Sequence, residues 1–120
     1  MSTYVDGFVI PVAKKNLPAY LRMARKCAPI LREHGALAVH ECVGEDLTVK
    51  MGVPFTRLAK TKPGETVVFS WVTYKSRAHR DRVNAKFMAD PRMAALCGAD
   101  DMPFDCARMA YGGFKVAVSA

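Results

Sequence analysis

The chain has 120 residues, 51% of them apolar and 24% charged. That apolar content excludes a disordered chain. The length suits one domain, able to bury roughly two-thirds of its unfolded surface without a metal or disulfide staple. The formal charge of +7, from 18 Lys and Arg against 11 Asp and Glu, leaves nucleic acid, anionic membrane and acidic ligands as partners to weigh.

The first element is a strand over residues 4–12, rich in β-branched and aromatic types and ending near Pro11. A helix follows, with Asn16 as its N-cap and Pro18 in the first turn. Leu17, Tyr20, Leu21, Ala24, Cys27, Ala28 and Leu31 form its apolar stripe. Pro29 is expected to kink this helix, and Gly35 to end it. Residues 36–43 read as a second strand. An irregular stretch over 44–64 is expected to hold a short hairpin around Phe55 to Ala59.

Residues 66–74 carry the strongest strand signal. Ser76 then caps a second helix over 77–89, with Ala78, Val83, Phe87 and Met88 facing inward. Pro91 interrupts it, and a helical turn continues from Arg92 to Leu96. After an acidic loop with Asp100, Asp101 and Pro103, a last strand spans roughly 105–118. Gly112 and Gly113 within it imply a bulge or a close approach to the backbone.

The order β-α-β-β-α-β, with right-handed crossovers, predicts an α+β fold. It is a ferredoxin-like sandwich over 1–120, a four-stranded antiparallel sheet with two helices on one face. The strands do not alternate cleanly between apolar and polar. Val67, Phe69 and Trp71 share one face of 66–74, and Val68, Val72 and Tyr74 share the other. Both faces of the sheet are therefore expected to be covered, the open one by a second copy related by a two-fold axis.

Several runs carry a resemblance. They are Tyr4-Val5-Asp6-Gly7-Phe8-Val9, Val67-Val68-Phe69-Ser70-Trp71, Asp90-Pro91-Arg92-Met93, Met102-Pro103-Phe104-Asp105 and Arg108-Met109 through Tyr111-Gly112-Gly113-Phe114. Together, in order and over nearly the whole chain, they resemble the bacterial domain of unknown function 1428, of the dimeric α/β-barrel superfamily. The resemblance implies a ferredoxin-like protomer and a dimer whose sheets close into a barrel. One departure stands out: Cys106-Ala107 follows Pro-Phe-Asp where Gly-Lys is expected.

Six residues are candidates to line a pocket between sheet and helices or within the barrel. Asp6 sits on an apolar strand face and needs a partner, because an isolated buried carboxylate is costly. Arg108, on a neighbouring strand, is the expected partner. Glu41 lies among Leu37, Val39 and Val43, a setting suited to acid–base work. His40 has small neighbours. Trp71, the only Trp, offers a stacking surface, and Tyr111 a ring with a hydroxyl.

The four Cys show no C-x-x-C and no zinc spacing, and no glycine-rich nucleotide loop is present. No cofactor, no metal and no membrane span are expected, and with no secretory signal read at the start the expected setting is the cytoplasm, with the thiols reduced. An RNA-recognition motif shares this element order, but its third strand needs a basic residue and glycine spacing that Gly64-Glu65-Thr66-Val67-Val68-Phe69 lacks. The basic residues fall mainly on the helices, so nucleic acid is not expected. The sequence reads as a binder of a small apolar or aromatic molecule, with cofactor-independent oxygenase-like activity as an extension by analogy of fold. The alternatives are a non-catalytic stress-response or interaction module and a basic RNA-binding domain.

Overall fold

In the computed structural model, which describes residues 3–96 and 102–120, the four expected strands form one antiparallel sheet. They are β1 (Tyr4–Ala13), β2 (Ala38–Val43), β3 (Glu65–Tyr74) and β4 (Ala110–Lys115). The sheet order is β2-β3-β1-β4, which is the ferredoxin-like arrangement. Asp100 and Asp101 of the expected acidic loop lie outside the described residues, as does Cys97.

α1 (Leu17–Glu33) and α3 (Arg77–Ala89) pack on one face of the sheet. α1 buries Tyr20, Ala24 and Ile30, and it continues through Pro29 to Glu33. Gly35 closes it at φ +118, where the Ala36 N–H reaches the Leu31 carbonyl. A side chain at Gly35 would also crowd His79 and Val83. At α3 the Ser76 side chain accepts the His79 N–H, as a capping serine should. Pro91 opens the short α4 (Pro91–Leu96), and Asp90 accepts the Arg92 N–H at its start.

Three expectations change. Residues Phe55–Leu58 form a one-turn helix, α2, and not a hairpin. Pro54 sets its start, and the Leu58 N–H bonds back to the Pro54 carbonyl, so the local bonds close a helical turn where a hairpin is expected. The last strand is shorter than 105–118. Asp105 caps a 3-10 turn over Cys106–Arg108 and pairing begins only at Ala110. On α3, Met88 is 76% exposed and Ala78 is exposed. The inward row is Arg80, Val83, Asn84 and Phe87, at the i, i+3, i+4, i+7 spacing. Two polar residues hold inward places because a carboxylate on the sheet requires them.

The core has two halves, both on the helix side. One holds Ile10, Val12, Tyr20, Ala24 and Val68. The other holds Ala36, Val72, Tyr74 and Val83. The strand register sets which side chains reach it: Tyr4, Asp6, Phe8 and Ile10 from β1, Ser70 and Val72 from β3, and Glu41 from β2. Among the described residues, no helix is long and apolar enough to cross a membrane.

Candidate functional site

The register divides the six expected pocket residues between the two faces of the sheet. Asp6, Glu41 and Tyr111 face the helices, while His40 and Trp71 face the other way. Arg108 precedes β4 and belongs to neither group.

Asp6 is 1% exposed. Its partner is Arg80 on α3, not Arg108: Arg80 Nη1 donates to Asp6 Oδ1 at 2.6 Å. Tyr111 Oη donates to Asp6 Oδ2 at 3.2 Å, and Asn84 Nδ2 lies 3.4 Å from the same oxygen. Arg80 also lies over the Tyr4 ring, 4.9 Å from its centroid. Burial, and then the nearby Asp6 charge, push the Tyr74 and Tyr111 hydroxyls above the usual phenol range. Asp6 is thus fully engaged in joining β1, β4 and α3. Arg108 forks onto Glu65, with Nη1–Oε2 at 2.7 Å and Nη2–Oε1 at 2.8 Å. That fork, together with a backbone bond from Lys62, lowers the Glu65 carboxyl to about 2. Arg108 tethers the turn before β4 to the start of β3.

Gly113 explains half of the glycine pair. The Tyr4 ring passes 2.8 Å from where a Cβ on Gly113 would sit, so the strand tolerates no side chain there. Gly112 lies opposite Gly7 on the other face.

Glu41 has a different setting. Tyr20 Oη donates to Glu41 Oε1 at 2.6 Å, and Ser70 Oγ donates to Oε2 at 3.0 Å. Tyr20 and Ser70 are each 3% exposed. Burial, and then the hydrogen bond to Glu41, raise the Tyr20 hydroxyl well above the usual phenol range, so it stays a donor at any physiological pH. These three side chains stand at a cavity of about 190 Å³ between the sheet and the helices. Met23 of α1, Phe87 of α3, Met93 of α4, and Phe104 and Met109 before β4 complete its walls. Tyr20 and Phe104 meet edge to face at 5.5 Å.

Two of these residues were legible in part. Tyr20 stands in the apolar stripe of the first helix, where its hydroxyl gave no signal. Ser70 reads as a small strand residue until the β2–β3 register sets it opposite Glu41. Arg80 is one of the basic residues expected on the helices, and its inward turn follows only from Asp6.

The open face carries His40 stacked on Trp71 at 4.7 Å, with Phe69 beside Trp71. Val5, Gly7, Val9, Phe69, Trp71 and Phe114 border a broad depression of about 590 Å³. α2 covers one end, with Phe55 5.9 Å from Phe69. Phe69 and Phe114 remain 43% and 62% exposed.

This fold is shared with solved structures of very different sequence. A dimeric ferredoxin-like protein from an uncultured marine organism is 12% identical, with 100% of both chains covered and a TM-score of 0.62. An uncharacterized NIPSNAP domain protein from Burkholderia xenovorans is 16% identical over 98% of this chain and 95% of its own, with a TM-score of 0.52. The molecule is thus an α+β protein of the ferredoxin-like class. Residues 3–106 match the family described as "Protein of unknown function (DUF1428)", and the chain belongs to that family. It is also 45% identical over 112 residues to the uncharacterized protein YbaA of Escherichia coli K12, and equally to YbaA of Shigella flexneri. The match covers 93% of this chain and 94% of each relative.

Proposed function

We propose that the protein is a homodimer closed over the open sheet face, and that each protomer binds a small apolar molecule in the cavity between sheet and helices. The observation that carries the ligand reading is Glu41. A carboxylate held by two hydroxyls stands at the wall of a cavity lined otherwise by Met, Phe and aliphatic side chains and by Cys27. Ligand sites have this form, an apolar hollow with a few convergent polar groups. The cavity has room for about one aromatic ring, since an apolar cavity of roughly 150 Å³ takes benzene.

The dimer reading is supported by the aromatic surface around Phe69, Trp71 and Phe114, which is costly to leave in water. The similar marine protein is described as dimeric, and a second copy of this chain would bring the same surface to the interface.

Methionine-methyl NMR with one-ring probes (toluene, benzyl alcohol and benzylamine) tests the ligand site. The methyl signals of Met23, Met93 and Met109 are expected to shift saturably, while the Trp71 indole N–H stays in place. Shifts confined to Trp71 would move the ligand to the open face. No shift with any probe would leave a non-catalytic interaction module as the better reading.

A further inference from the structure

The acids of the molecule are not treated alike. Asp6 has Arg80, Glu65 has Arg108, and Asp90 has His34 and Arg92. Glu41 has only the hydroxyls of Tyr20 and Ser70, and among the described residues no Lys, Arg or His forms an ion pair with it. Of the described residues lining its cavity, Glu41 is the only Asp, Glu, Lys, Arg or His.

An ionised carboxylate offers about four acceptor positions. Tyr20 and Ser70 use two, one on each oxygen. Neither hydroxyl brings a positive charge, so the charge balance at this wall is left open. The other walls suit a cation with an apolar body. Aromatic rings attract cations within about 6 Å, and Tyr20, Phe87 and Phe104 are among the lining residues. Met23, Met93 and Met109 are polarisable and adapt to the outline of a guest.

We infer that the cavity takes a small organic cation, an amine on one ring or a short branched chain, whose ammonium group pairs with Glu41. This refinement rests on the ligand reading above and adds the charge of the ligand to it. A neutral alcohol of the same outline could still give one hydrogen bond to Glu41, but it would leave the carboxylate uncompensated, and that difference is measurable.

The test is calorimetric titration of the full chain with benzylamine and with benzyl alcohol, on the parent protein and on Glu41→Gln. On the parent, benzylamine is expected to bind at least tenfold more tightly than benzyl alcohol. Glu41→Gln keeps the side-chain outline and should bring the amine down to the affinity of the alcohol, with the alcohol little changed. The parent comparison needs no variant, so it stands even if Glu41→Gln folds poorly. Equal binding of amine and alcohol to the parent would overturn the cation assignment and leave the ligand reading intact. So would an amine preference that survives in folded Glu41→Gln. No binding of either probe would overturn both.

Discussion

On the helix side of the sheet, every buried side-chain nitrogen and oxygen of the described residues has a hydrogen-bond partner. Asp6 is held by Arg80, Tyr111 and Asn84, and Glu41 by Tyr20 and Ser70. On the open side there is little polarity to answer. His40 lies flat on Trp71, and Phe69 and Phe114 stand partly in water. The two faces bury apolar surface by different means. One is completed inside the chain by α1 and α3, at the expense of placing Arg80 and Asn84 in the inward row of α3. The other is left open, and in the proposed dimer a second copy covers it. A substitution should therefore unfold the protein on the first face and change its assembly on the second.

The largest expected effect is at Asp6. Asp6→Ala leaves Arg80, 13% exposed, with the surface carboxylate of Asp81 as its one remaining ion-pair partner among the described residues, and should destabilise by about 3 kcal/mol, read by denaturant unfolding. Replacing both partners, Asp6→Leu with Arg80→Met, should recover much of that loss, because an apolar pair of similar volume avoids the stranded charge. A pair of glycines sharpens the contrast between the faces. Gly113→Ala forces the Tyr4 ring away and should cost about 1–3 kcal/mol. Gly7→Ala meets only the exposed Phe114 ring, 3.3 Å away, and should stay within about 0.5 kcal/mol. Tyr20→Phe removes one donor from Glu41 and should cost about 1 kcal/mol, read by the same unfolding measurement. Acid gives the smallest and broadest effect. The Glu65 carboxyl is lowered from 4.5 to about 2 by Arg108 and Lys62, so its contribution is complete above about pH 4.5 and fades as the pH falls toward 2. Arg108→Gln should flatten that part of a stability-against-pH curve.

The fold was readable because its signals are local and periodic. β3 is nearly continuous in β-branched and aromatic residues, α1 has an apolar stripe, and Ser76 and Gly35 mark helix ends by chemistry that acts within five residues. Asp6 could be known to need a cation, but the choice between Arg80 and Arg108 depends on tertiary placement. Arg80 lies 74 residues away in sequence. The hairpin expected at Phe55 failed because Pro54 favours helix initiation, and a one-turn helix has no periodicity to detect. Glu41 drew notice as an acid among apolar neighbours. Its partners did not: a tyrosine in an apolar stripe and a serine in a strand look like packing until the register brings them to one carboxylate. The lack of clean alternation in β3 and β1 predicted two apolar faces, and the structure shows one filled by helices and one only partly covered, with α2 over one end.

The division of labour between the faces is tested most directly by the mass of the protein in solution. Sedimentation equilibrium at micromolar concentration should give twice the 13.2 kDa chain mass. Phe114→Glu should shift it to the single-chain mass while unfolding stays cooperative. A parent protein that sediments as a stable 13.2 kDa particle would contradict the account, because the aromatic open face would then have no second copy to cover it.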